Sequence, residues 1–93
     1  MLTAGQFQDY DFDRMIVRFT MKHDGASVAC AISTDAMDAL EGSSRTPPEK
    51  REQQFLRLLD RIETRAAQKF SAVELEGNPP GVILRAIDFR TPR

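Results

Sequence analysis

The 93-residue chain has no tryptophan, one tyrosine, one cysteine and one histidine, and each scarcity removes a kind of chemistry. A lone cysteine cannot close an internal disulfide, so the covalent framework of many small secreted domains is excluded. One histidine and one cysteine, with no cluster of further ligands beside them, do not make a zinc site. With one tyrosine and no tryptophan, the chain is short of exposed aromatics for stacking single-stranded nucleic acid. No apolar run approaches the roughly 18 residues of a membrane span, and the opening stretch MLTAGQFQDYDFD has neither the basic nor the apolar region of an export signal. Charge of one sign is also lacking. Thirteen Lys and Arg stand against 14 Asp and Glu, for a net charge of -1 and a pI near 5.8. That balance removes the broad electrostatic footprint of a general nucleic-acid binder. A cytoplasmic compartment without membrane association is expected.

Catalytic signatures are missing as well. No HExxH, CxxC or GxSxG occurs, and GNPPG lacks the lysine and the strand-to-helix setting of a phosphate loop. In DYDFD, Asp9, Asp11 and Asp13 imitate the start of a calcium loop. The sixth position is Arg14 rather than glycine and the twelfth is Thr20 rather than glutamate, so the pattern fails. A solvated acidic edge is expected there. Enzyme chemistry has no anchor, and neither cofactor nor metal is expected.

What is present is the balance of one small globular domain, with 41% hydrophobic and 29% charged residues. A single domain over residues 1–93 is expected, with its core from about 13 to 89 and residues 1–12 and 90–93 peripheral. The segment before Arg14 reads as a short edge strand or coil. In RMIVRFTM, Met15, Val17, Phe19 and Met21 alternate with Ile16, Arg18 and Thr20, the period of a half-buried strand. ASVACAI repeats it with Val28, Cys30 and Ile32, and the Asp24-Gly25 pair between them is a strong hairpin signal. That loop places His23 opposite Ala26, Met21 opposite Val28, Phe19 opposite Cys30 and Val17 opposite Ile32. Every apolar residue then shares one face. A dyad of His23 and Cys30 is thereby excluded within the hairpin, because they lie about 13 Å apart at roughly 3.3 Å per residue. Cys30 reads as a small core hydrophobe and His23 as a solvated turn residue.

Ser33 is placed to cap a short helix, TDAMDALE, with Gly42 at its end. TPPE reads as a capping box, with Thr46 at the cap, Pro47 in the first turn and Glu49 reaching back. A long helix is expected from about Pro47 to Phe70, with Phe55, Leu58, Leu59, Ile62, Ala66 and Phe70 on one apolar stripe. SAVELEGNPPG ends it, VILRAIDF over Val82–Phe89 reads as a last strand, and RTPR is a tail. The class is α+β: a small antiparallel sheet, made of the N-terminal hairpin and the C-terminal strand, packed against one short and one long helix.

The stretch VRFTMKHDGASVACAISTDAMDAL resembles a family of small bacterial proteins classed as domain of unknown function 1488. The features that carry the resemblance are Val17 and Phe19, the turn glycine Gly25, the strand ending of Val28, Cys30, Ile32 and Ser33, and the pair Ala36 and Met37. It extends through RIETRAAQKF to GVILRAIDF and so covers most of the chain. Met37, where leucine is commoner, and the Pro-Pro connectors depart from the pattern without threatening the fold. The resemblance implies a compact α+β domain with an antiparallel sheet and two helices. It implies no established activity and lends no functional residues.

One feature of the long helix points outward. At 100° per residue, Lys50, Arg51, Arg57, Arg61, Arg65 and Lys69 project within about 120° of one another, whereas Glu49, Glu52, Asp60 and Glu63 gather across the apolar stripe. Arginines four residues apart weaken a helix by a few tenths of a kcal/mol per pair. An acidic partner, a nucleic-acid backbone, or Asp35, Asp38 and Glu41 of the short helix would offset that. The plainer alternative is that long basic side chains cover the rim of the stripe with their stems. Arg57, Arg61, Arg65 and Lys69 are the candidate partner- or anion-binding residues. The leading expectation is a non-catalytic protein-interaction or regulatory module that binds an unidentified protein or itself. A nucleic-acid-associated module using the same flank, and a ligand-binding protein or enzyme with a pocket invisible in the sequence, are the alternatives.

Overall fold

A computed structural model of the chain describes residues 2–42, 46–77 and 80–89. The polar connector at residues 43–45, Asn78 and Pro79 of the second breaker, and the tail at 90–93 lie outside the described residues. In chain order the elements are β1 (Thr3–Asp11), β2 (Ile16–His23), β3 (Ala26–Ser33), α1 (Thr34–Glu41), α2 (Arg51–Arg57), α3 (Leu59–Ser71) and β4 (Val82–Leu84). A 3₁₀ turn at Pro48–Lys50 leads into α2, and another at Ala86–Phe89 follows β4. The four strands form one sheet in the order β1-β2-β3-β4. The helices lie on the face that carries the core, and the class is α+β.

The hairpin has the expected register: Val17 pairs with Ile32, Phe19 with Cys30, Met21 with Val28 and His23 with Ala26. Asp24 and Gly25 sit at φ 51° and 82°, the doubly left-handed geometry that a two-residue turn needs to match the strand twist. Val17, Phe19, Met21 and Ile32 are fully buried. Ser33 caps α1 by accepting a hydrogen bond from the Ala36 N–H at 3.1 Å, and Gly42 ends the helix in the left-handed region.

The segment ahead of Arg14 forms β1, a nine-residue edge strand antiparallel to β2. Leu2 is buried just before it, and Phe7, opposite Phe19, sets its ring edge-on to Phe55 at 5.9 Å. Two register shifts bend β1, and at the first the Gly5 N–H donates to Glu63 Oε2 of α3 at 2.7 Å.

The last strand differs from expectation in length and direction. β4 ends at Leu84, and it runs parallel to β3, with Cys30 beside Val82 and Ile32 beside Leu84. The sheet is therefore mixed. The reason is the connection: the chain leaves the end of β3, passes through three helices, and returns to the sheet at its opposite end, as a crossover between parallel neighbours must. Beyond Leu84 the strand gives way because Asp88 Oδ2 captures the Arg85 N–H at 2.7 Å and the Asp88 N–H bonds to the Arg85 carbonyl at 2.9 Å.

The long helix is interrupted. Leu58 sits at φ -96°, ψ 4°, and its N–H is shared between the carbonyls of Gln54 and Phe55, both at 3.1 Å. No proline or glycine marks the position. The apolar stripe nevertheless faces the sheet, with Phe55, Leu58, Ile62 and Ala66 buried and Leu59 and Phe70 packed at its margin. The capping box does not form: the Thr46 hydroxyl donates to Asp38 of α1, and Pro48 rather than Pro47 opens the first turn. α3 ends with the Val73 N–H bonded to the Phe70 carbonyl and the Glu74 N–H to the Lys69 carbonyl. This is a Schellman motif with Val73 at φ 58°, where glycine is the usual occupant.

Candidate functional site

Cys30 lies on the inner face of β3 and is 5% exposed. Burial pushes its thiol up to about 11, with a backbone hydrogen bond at Val82 pulling weakly the other way. Such a group is inert as a nucleophile at neutral pH. His23 is less solvated than expected. Its ring packs against Phe70 of α3 at 4.8 Å between centroids, and Nε2 lies 3.4 Å from Asp24 Oδ2. The stripe residue Phe70 reaches past the sheet margin and covers it.

The acidic run on β1 is a clamp. Asp9 and Asp11 stand on the outer face of the sheet, beside Arg18 of β2. Arg18 donates from Nε and Nη2 to the two Asp9 oxygens at 2.7 and 2.8 Å, and from Nη1 to Asp11 at 3.3 Å. The hydrogen bond from Arg18 holds the Asp9 carboxyl below its ordinary value. Asp13 is exposed in the following turn. Among the described residues no group of three or more His, Cys, Asp or Glu is arranged to hold a metal ion.

Two hollows formed by described residues bear on ligand binding. A hollow of about 160 Å³ on the uncovered sheet face is lined by Arg14, Ile16, Arg18, Ala31, Glu76 and Ile83 among others. That is below the range of roughly 300–1,000 Å³ usual for small-molecule sites. A larger one of about 560 Å³ opens along α3 over Thr64, Ala67, Gln68, Ser71 and Ala72. A single helix lines it, and no charged group converges on it.

The basic residues are distributed among three environments. Arg51, 3% exposed, is locked to α1. Its Nη1 donates to Asp38 Oδ1 at 2.7 Å and to Gln54 Oε1 at 2.6 Å, and its guanidinium carbon lies 5.9 Å from the centre of the Tyr10 ring. Asp38 also accepts from Gln54 Nε2 and from the Thr46 hydroxyl, each at 2.9 Å. Burial raises the Asp38 carboxyl, but the hydrogen bonds from Arg51, Gln54 and Thr46 together outweigh it, and the carboxyl is held low. Arg57 is also turned toward α1, donating from Nε and Nη2 to Glu41 at 2.9 and 3.2 Å. Two of the three acids on the short helix thus offset the crowding of arginines, and the third, Asp35, is exposed in the first turn.

Arg65 and Lys69 face the C-terminal turn instead. Arg65 Nε donates to the main-chain carbonyl of Asp88 at 2.6 Å, and its Nη2 lies 3.7 Å from the Asp88 carboxylate. Lys69 Nζ donates to the Ile83 carbonyl at 2.8 Å and to Asp88 Oδ2 at 3.2 Å. Lys69 and Asp88 are nearly buried, with side chains 8% and 12% exposed. Arg61 is exposed and makes no ion pair among the described residues. Of the four candidates, Arg65 and Lys69 converge on one carboxylate, Arg57 joins another, and Arg61 stands alone.

Asp88 escaped sequence reasoning, which offered Asp38 as an offset to the cations but did not foresee that its pairing with Arg51 is buried. The one available signal was an acid following the last apolar run, within reach of two cations spaced by four residues.

The family model for proteins of unknown function named DUF1488 matches residues 4–80. The chain belongs to the DUF1488 family. Its fold is similar to the crystal structure of a DUF1488 protein of unknown function from Shewanella loihica PV-4. The two have a TM-score of 0.73 and 17% identity, over 91% of this chain and 97% of that one. No curated protein matches the chain. The turn at Ala86–Phe89 and the strand before it lie beyond the matched residues, whereas the α1 and α2 clamp and the flank of α3 lie inside them. Among the described residues, no helix of this DUF1488 protein is long and apolar enough to cross a membrane.

Proposed function

We propose that this DUF1488 protein is a non-catalytic protein-interaction module of the cytoplasm that takes hold of an acid-bearing protein segment through the basic flank of α3. One observation carries the reading: Arg65 and Lys69 already grip such a segment, the chain's own Asp88, by its carboxylate and its main-chain carbonyl together. Charge-assisted hydrogen bonds of this kind are the strong ones, and a flank that makes them to one short turn has the geometry to make them to another acid-bearing segment. Arg61, exposed one turn before Arg65, extends the same flank.

The test is an array of short peptides probed with the intact protein and with the Arg61→Glu, Arg65→Glu double variant. Retention of acid-bearing peptides that the double variant loses supports the reading. Retention without regard to acidic residues, or equal retention by the variant, refutes it. A nucleic-acid role through the same flank predicts instead that duplex or single strands bind with an affinity falling steeply as salt rises.

A further inference from the structure

The 3₁₀ turn Ala86–Phe89 lies against α1 on one side and under the cations of α3 on the other. Its residues divide by role. Ala86 and Phe89 pack against the core, Ile87 is 67% exposed, and Asp88 points its carboxylate at Lys69 and Arg65. The strap is therefore held in three ways at once: by its carboxylate and the carbonyl of the same residue on the flank, and by an aromatic anchor packed on the core one position later. A charged pair beside a partly buried aromatic is a combination by which short peptide segments are held.

The strap is also poorly fastened relative to what it covers. Its four residues follow a three-residue strand and none of them is fully buried, and segments with few buried apolar contacts lie at the low end of local opening free energies. What it covers is a lysine whose side chain is 8% exposed. No partner reaches that ammonium while the strap is seated.

We infer that the strap is an intramolecular ligand seated in the docking groove between α1 and α3, and that the partner segment carries an acidic residue immediately followed by an aromatic one and binds by displacing it. This rests on the interaction reading above and names the partner's chemistry. The apparent affinity of the groove is lowered by the fraction of molecules in which the strap is closed, so loosening the strap strengthens binding without any new contact.

The experiment uses the full chain and a fluorescein-labelled peptide Arg-Ala-Ile-Asp-Phe, the strap's own sequence, with binding read by anisotropy. The proteins are wild type, Asp88→Asn and Asp88→Ala, and hydrogen exchange at residues 86–89 reports strap opening. Both variants are expected to exchange faster there and to bind the peptide at least about tenfold more tightly than wild type, as the closed fraction falls. A control peptide with asparagine for aspartate does not bind, and adding Lys69→Gln to Asp88→Asn abolishes binding. In wild type, excess peptide accelerates exchange of the strap amides, a measurement that stands even where a variant fails to fold. Faster exchange in the variants without tighter binding overturns the inference, and the peptide array still decides the broader reading. Unchanged exchange in both variants, or in wild type with excess peptide, overturns it too, because the strap would then be a fixed part of the core.

Discussion

Asp38→Ala strips one carboxylate from the junction of α1 with α2 and is expected to be among the most damaging single changes in the chain. The carboxylate is 16% exposed and accepts from Arg51, Gln54 and Thr46, while the Arg51 side chain is 4% exposed. The variant leaves that guanidinium buried with Gln54 Oε1 as its remaining acceptor. Breaking a buried pair by removing one partner costs about 3–5 kcal/mol, far more than the pair contributes relative to an apolar substitute, because the surviving charge stays desolvated. A chain of this length holds roughly 5–14 kcal/mol in all. At about 4–8 °C per kcal/mol, Tm should fall by at least about 12 °C.

The assay is thermal and urea unfolding followed by circular dichroism, in a cycle with Arg51→Met. Arg51 Nε is buried without a hydrogen-bond partner among the described residues, so methionine also removes an unsatisfied donor. The double variant is expected to be more stable than Asp38→Ala alone, with a coupling of about 2 kcal/mol. The pH dependence has a definite sign. The folded carboxyl lies below its ordinary value of 3.8, so its contribution is whole above that value and is lost as pH falls through the folded one. The gap between wild type and Asp38→Ala should be flat from about pH 6 to 8 and close in acid. A loss under about 1 kcal/mol, or additive single effects, would place the pair with exposed ion pairs of little worth and refute the reasoning.

Val73→Gly should stabilise the protein. A left-handed residue other than glycine costs about 1–2 kcal/mol, the glycine returns roughly 0.5–1 through the unfolded chain, and the valine is 74% exposed, so little burial is lost. A Tm raised by a few degrees is expected, and a lowered one would mean that Val73 makes a contact worth more than its strain. Cys30 should react with an aromatic disulfide reagent at pH 8 only as fast as the sheet opens, given 5% exposure and a thiol pushed up to about 11. Modification of the native protein at the rate of a free thiol would contradict its place in the core.

The elements legible in the sequence are those encoded by neighbours along the chain. Alternation from Val17 to Met21 and from Val28 to Ile32, joined by Asp24 and Gly25, specifies the register because a slip of one residue turns the whole apolar face to water. Met15, expected on the same face, instead lies before β2 at φ 57° and is exposed. Ser33 and Gly42 mark α1 by local hydrogen bonding and local dihedral freedom. What escaped depends on distant partners. Val82, Ile83 and Leu84 carry no mark of direction, and only the path through three helices makes β4 parallel to β3. The break at Leu58 involves an ordinary helix former. Thr46 satisfies the sequence rule for a cap, yet the first turn begins one residue later, with Pro47 at the cap position, and the Thr46 hydroxyl donates to an acid on another helix.

The basic flank shows where the same limit falls on function. Four-residue spacing places Arg57, Arg61, Arg65 and Lys69 side by side but says nothing of what stands opposite. Glu41 and Asp88 occupy that place, so the field presented to solvent is much weaker than the count of cations suggests, and Arg61 is its exposed remainder. A partner that uses the flank must then bring its own carboxylate and take the place of one already there. Glu41 belongs to α1, which is capped at both ends and tied to α2 through Asp38, so its departure would cost the junction. Asp88 belongs to a single four-residue turn in which no residue is fully buried. Exchange at Asp88 is the cheaper of the two, and it is the one that would uncover Lys69.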